Sequence, residues 1–187
     1  EQGPLLRMLV SASGGSAVLK QNKIKIFGAQ LTLPLAYPAT KPVPSGSFRI
    51  EKVVADKKYT VGVTGTIRQE GLKTLKADGG VRVDFMTGIK PSFTGVINLE
   101  NNLEADLDFG FPSVEVTDAD LKAVAPQVPQ DADISMKIGA KGHAHLKNNR
   151  VTTNMTLAVS DGRIHMPDLK LNAEGINTKI RFNDLLM

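Results

Sequence analysis

Between Asp131 and Phe182 apolar and polar side chains alternate with a period of two. Ile134, Met136, Ile138, Ala140, Gly142, Ala144 and Leu146 fall on one face, and Asp133, Ser135, Lys137, Gly139, Lys141, His143 and His145 on the other. Successive side chains of a strand leave opposite faces, so this spacing predicts strands with one buried and one solvated side. The run exceeds the about five or six residues of a common strand. It predicts a tall sheet with one apolar wall.

Turn residues set the expected register. Asn148-Asn149 tolerates positive φ at both positions, as a type I′ hairpin requires, and sets Leu146 against Val151, Gly142 against Met155, Ala140 against Leu157 and Ile138 against Val159. The other face then pairs His145 with Thr152, His143 with Asn154 and Lys141 with Thr156. Asp161-Gly162 is expected to be a second tight turn, setting Val159 against Ile164 and Leu157 against Met166. Glu174-Gly175 is expected to be a third, setting Ala173 against Ile176 and Leu169 against Ile180. A slip of one residue would expose the whole apolar set, so the pattern specifies its own pairing.

Upstream, Leu5 to Val10 is apolar and reads equally as strand or short helix, and Ser11 to Ser16 reads as a Gly/Ser turn. Lys23 to Phe27 and Gln30 to Ala36 read as strands broken at Gly28-Ala29. Tyr37 to Ser45, with three prolines, predicts a loop or sheet edge. Phe48 to Val54 and Tyr59 to Ile67 form an expected hairpin around Asp56-Lys57; Gln69 to Lys76 is ambiguous, and Val81 to Met86 reads as a strand. The loop Glu100-Asn101-Asn102 sets Ile97 against Ala105 and Phe93 against Phe109. Thr117 to Ala125 predicts the one helix, with Thr117 as N-cap, acidic residues in the first turn and Pro126 as the stop. The chain thus divides into a sheet region over 1–116, a helix and connector over 117–130, and a β-meander over 131–187, within one β-rich domain. Beginning at Glu1, it reads as a segment of a larger protein.

Composition narrows the classes. With Gly at 17, Pro at 10 and aromatics at 5 %, the chain suits a turn-rich β protein lined by aliphatic side chains. No cysteine is present, which excludes a disulfide framework and a thiolate metal site. The net charge of +4 comes from 23 basic residues spread among 19 acidic ones, and the densest basic runs, Lys20 to Lys25 and Lys57-Lys58, are short and lack interleaved aromatics, so no nucleic-acid partner is expected. Contact with anionic lipid headgroups is compatible with that charge. No stretch reaches the roughly 20 apolar residues of a membrane-spanning helix.

Candidate chemistry is sparse. His143 and His145 share a strand face, a spacing metals use, but the neighbours expected across the hairpin are Asn154, Thr152 and Thr156. His165, expected opposite Ala158, stands apart. Asp106 and Asp108, like Asp131 and Asp133, read as solvated carboxylates with no converging third group. Neither Gly14-Gly15 nor Gly79-Gly80 has phosphate-loop spacing, and no serine has nucleophile-elbow context. No enzyme activity, cofactor or metal is expected.

The phrase from Asp161-Gly162-Arg163-Ile164-His165-Met166 through Ala173-Glu174-Gly175-Ile176 to Arg181-Phe182 resembles the recurring unit of bacterial AsmA-like envelope proteins, relatives of TamB and especially of the YdbH type. In that unit a turn glycine, a short strand, an alternating strand and a further glycine-led strand follow in order. Ala77 to Val83 and Phe93 to Leu99 are more weakly similar. The resemblance implies a periplasmic β-groove, tethered to the inner membrane in the full-length protein, which shields phospholipid acyl chains on their way between inner and outer membranes. It carries no catalytic residues.

The expected fold is therefore all-β, a mainly antiparallel meander with one short helix. It forms either a curved sheet with an apolar groove or a β-sandwich that buries the same wall as core. In the groove reading, Ile138, Leu146, Met155, Leu157, Val159, Leu169, Leu171 and Ile180 line the trough. In the sandwich reading the domain is a structural or adhesive module. Alternation alone fits both.

Overall fold

A computed structural model describes residues 5–19, 24–39, 43–55, 59–84, 86, 88–100, 103–125, 127–148 and 150–183. Ten strands follow one another in space in their chain order, each antiparallel to the last, in one sheet that does not close. They are β1 (Leu6–Leu19), β2 (Ile24–Tyr37), β3 (Gly46–Ala55), β4 (Tyr59–Gln69), β5 (Thr74–Val83), β6 (Ser92–Asn98), β7 (Glu104–Thr117), β8 (Asp133–Lys147), β9 (Arg150–Met166) and β10 (Leu171–Asn183). One helix, α1 (Asp118–Val124), lies between β7 and β8. The all-β meander with one short helix is the observed fold. Among the described residues there is no second sheet to make a sandwich.

Two adjacent rows of residues show how the sequence makes this sheet two-sided. One row runs Ala12, Leu31, Phe48, Gly65, Gly79, Phe93, Phe109, Gly142, Met155, Phe182, with one residue from each strand. The next row, one residue along each strand, runs Ser11, Thr32, Ser47, Thr66, Asp78, Thr94, Asp108, His143, Asn154, Asn183. Adjacent rows face opposite sides, so at this level of the sheet one face is apolar and the other polar in every strand.

The pairings expected across Asn148-Asn149 hold: Leu146 faces Val151, Gly142 faces Met155, Ala140 faces Leu157 and Ile138 faces Val159. Asn148 takes the left-handed conformation, with φ of 51°, while Asn149 lies outside the described residues. Ile97 faces Ala105 and Phe93 faces Phe109, also as expected; Asn101 and Asn102 lie outside the described residues. The β3–β4 hairpin closes Ala55 on Tyr59, with residues 56–58 outside the described set. The stop expected at Pro126 lies outside it too.

Other expected breaks are overturned, each for the same reason. Asp161-Gly162 does not reverse the chain, because β9 continues through it for 17 residues. Val159 pairs with Ile138 and Thr178, and Ile164 with Ile134 and Ala173. Asp161, at φ of 52°, is instead the extra residue of a β-bulge, its N–H donating to Asn177 Oδ1 at 3.3 Å. Glu174-Gly175 is likewise a bulge inside β10, with Gly175 at φ of 66°. The reversal lies at a 3₁₀ turn, Pro167–Leu169, followed by Lys170 at φ of 51°, so Leu171 pairs with Met166. The Gly/Ser stretch 11–16 is strand, and Gly28-Ala29 does not break β2; both sites are bulges in the β1–β2 ladder. The strand expected over Val81 to Met86 begins earlier, at Thr74, and ends at Val83. Turns and bulges both need residues that tolerate the left-handed region, so the dipeptide alone does not distinguish them.

Bulges also bend the sheet, since each adds local twist. Pro112-Ser113 stands opposite Gly139 and Glu51-Lys52 opposite Gly62, a doubled residue against a glycine in each case. A flat single sheet would leave both faces open, yet Leu33, Ile67, Leu75 and Ala77 are buried in one cluster on the apolar face. Curvature and the large side chains of neighbouring strands cover them. Beyond the first residue of β3, Gln69 of β4 reaches across to β2: its side-chain amide donates to the Ala36 carbonyl at 3.2 Å and its oxygen accepts from the Ala36 N–H at 2.8 Å. At the opposite end α1 packs against β7 and β8, beside the buried Val116 and Ile134.

Candidate functional site

The apolar face contains an open cavity of about 450 Å³. Phe48, Ile67, Ala77, Phe93, Ile97 and Leu107 line it from β3 to β7, and Ala144, Leu146 and Val151 from β8 and β9. That size falls within the roughly 300–1,000 Å³ of small-molecule pockets. Asp106 is the one charged residue at its wall, and its carboxylate bonds histidines instead. The cavity therefore offers hydrocarbon contact with no ionic anchor.

Its aromatic border follows from glycines in the facing strands. Phe48 stands opposite Gly65, and Phe93 opposite Gly79. A Cβ on Gly79 would lie 2.6 Å from Phe93 Cζ, and one on Gly65 would lie 2.5 Å from Phe48 Cζ. The rings thus occupy the space that side chains would fill, and they meet with centroids 6.0 Å apart over β4 and β5. Phe109 lies over Gly142 in the same manner.

Of the eight residues proposed from sequence, Leu146 lines this cavity. Ile138, Met155, Leu157 and Val159 occupy the same face further along β8 and β9 and are half-buried. Leu171 and Ile180 share that face on the edge strand β10, where both are exposed. Leu169 belongs to the 3₁₀ turn and is 65 % exposed, so it is not part of a sheet wall. Sequence reasoning missed the contribution of β3 to β6. The Phe93–Phe109 and Ile97–Ala105 register was its available signal, because it carries the apolar face upstream from β7.

The polar face holds a chain of alternating carboxylates and imidazoles. Asp108 Oδ1 lies 2.9 Å from His143 Nδ1, and Asp106 Oδ1 lies 3.3 Å from His143 Nε2 and 2.9 Å from His145 Nδ1. Glu104 Oε1 is 3.6 Å from His145 Nε2 and 3.2 Å from Lys147 Nζ. The hydrogen bond with His145, reinforced by the charge of both histidines, holds the Asp106 carboxyl below its ordinary value. Asn154 and Thr152 are the β9 neighbours, as expected; the β7 carboxylates were the unexpected side. His165 faces Asp133 and Asn172, not Ala158, because β9 does not turn at Gly162. Among the described residues no three such groups converge with metal-binding geometry, and no helix is long and apolar enough to cross a membrane.

Comparison with known proteins returns no matching family model, curated protein or solved structure.

Proposed function

We propose that this chain is a non-enzymatic lipid-handling module whose apolar trough shields phospholipid acyl chains in a bacterial cell envelope. One observation carries the reading: the sheet remains single and open, and its apolar face holds a cavity bordered by hydrocarbon side chains. A protein that needed this face only as core would be expected to cover it with a second layer. A large exposed apolar surface otherwise marks an interaction site. The resemblance of the sequence over 161–182 to AsmA-like proteins supports the same reading and implies a periplasmic setting, near membranes. Acyl chains are the proposed partner, and no cofactor is required.

The test is native mass spectrometry of the purified protein for co-purifying phospholipid, together with the variant Leu157→Asp. Burying a Leu contributes about 1.5–3 kcal/mol. In a closed core an unpaired carboxylate at 157 would collapse the fold. In an open trough the carboxylate stays hydrated, so the melting temperature should fall modestly while bound lipid is lost. An unfolded variant, or a wild-type protein that never carries lipid, would favour the structural or adhesive module.

A further inference from the structure

The imidazole–carboxylate chain on the polar face is the reverse side of the cavity wall. Asp106–His145 and Asp108–His143 are cross-strand pairs of β7 and β8, interleaved with Ala105–Leu146 and Leu107–Ala144. All four of those apolar residues line the cavity. Any change in how tightly β7 holds β8 is therefore felt on both faces.

We infer that Glu104, Asp106, Asp108, His143 and His145 form an acid-tightened clasp that makes the β7–β8 wall of the trough more stable at mildly acidic than at alkaline pH. This inference is independent of whether the trough holds lipid. A neutral imidazole donates one hydrogen bond, and its other nitrogen presents a lone pair. Here Nδ1 of each histidine hydrogen-bonds a carboxylate, and Nε2 lies 3.3 Å (His143) or 3.6 Å (His145) from a second, so the neutral form turns a lone pair towards that second carboxylate. Protonation supplies the second N–H and a charge opposite to both neighbours. Histidine ordinarily changes charge between about pH 5 and 8, a window in which carboxylates are ordinarily ionised.

The surroundings do not cancel the effect. From β9 the histidines face Thr152 and Asn154, which are uncharged. From β7 they face the three carboxylates; on their own strand Lys147 pairs with Glu104, while Lys141 lies two residues from His143. Beyond β7, Thr94 faces Asp108 and donates to Asp78 at 2.6 Å, while Val96 faces Asp106. Unfolding separates the histidines from Asp106, Asp108 and Glu104, which are 35 or more residues away for the two shortest pairs. A protonated ring therefore loses more on unfolding than a neutral one, and stability should be higher at pH 5.5 than at pH 8.0. Protonation of the carboxylates reverses the gain at lower pH.

The experiment compares melting temperatures at pH 5.5 and pH 8.0 for wild type, His143→Gln/His145→Gln, Asp106→Asn and the control His165→Gln. Partial exposure screens the clasp, so the wild-type gain on acidification should be about 2–4 °C. The double variant and Asp106→Asn should lose most of that gain, and His165→Gln should keep it. Wild-type hydrogen exchange provides a second readout that needs no variant: slowing relative to the intrinsic rate on acidification should concentrate in β7 and β8, not in β1 and β2. A gain that survives in the double variant, a gain that disappears in His165→Gln, or wild-type protection that changes uniformly would overturn the inference.

Discussion

A single missing methyl group decides whether the aromatic border of the trough can form. On Gly79 an added Cβ would lie 2.6 Å from Phe93 Cζ and 2.5 Å from the Thr64 carbonyl oxygen. The first contact could relax by moving a ring, but the second is backbone of the neighbouring strand. Gly79→Ala should therefore cost about 1–3 kcal/mol, the usual penalty of overpacking, and lower the melting temperature. Gly88→Ala is the matched control, with nothing within 4 Å of the added atom, and should melt within about 0.5 kcal/mol of wild type. Equal melting of the two variants would show that the rings move freely. Such pairs were only partly legible in the sequence. Phe93 opposite Phe109 followed from a loop length, whereas Phe48 over Gly65 required the β3–β4 register and a bulge between Ile50 and Val53. The histidine clasp was hidden likewise. The expected hairpin placed His143 and His145 beside β9, while the groups that matter come from β7 across a helix.

At the scale of elements, α1 and β9 show what local chemistry specifies and what it leaves open. The Asp120 carboxylate accepts from the Thr117 N–H and the Thr117 hydroxyl, both at 3.0 Å, and Lys122 bridges Asp118 at 2.8 Å. Asp120→Ala should cost about 1 kcal/mol, in the range of lost helix caps, as measured by denaturant midpoint at constant slope. That helix was legible because cap, acidic first turn and stop signal agree within ten residues. β9 was not, because Asp-Gly serves a reversal and a bulge equally well. Gly162 is buried, and a Cβ there would stand 2.9 Å from the Ile176 Cβ. Gly162→Val should accordingly destabilise by about 1–3 kcal/mol through overpacking between β9 and β10. At an exposed hairpin tip the same change would add no such contact. The bulge is also visible directly, since Val159 should show cross-strand contacts to both Ile138 and Thr178 in solution and none to Ile164.

For the whole molecule, alternation specified a two-sided sheet and left its closure undetermined. A sandwich and a curled open sheet ask for the same period, and the difference lies in bulge placement and in what finally covers the wall. Openness has a second physical consequence. Among the described residues β1 pairs only with β2, so one side of a 14-residue strand presents unpaired backbone donors and acceptors. Long edge strands are usually blunted by charge, proline or a covering element. β1 carries one charged side chain, Arg7, and its Leu9 and Val10 are 65 % and 44 % exposed. The opposite edge, β10, carries Glu174, Lys179 and Arg181. The isolated chain should therefore associate through β1 more readily than through β10. Sedimentation velocity over a concentration series is expected to show reversible association, and Leu9→Lys/Val10→Lys should suppress it while leaving the melting temperature of the monomer nearly unchanged. Removing charge from the other edge with Lys179→Ser/Arg181→Ser should raise association. A wild-type chain that stays monomeric at every concentration would mean that the twist of β1 already protects its edge, and the apolar side chains there would then need another explanation.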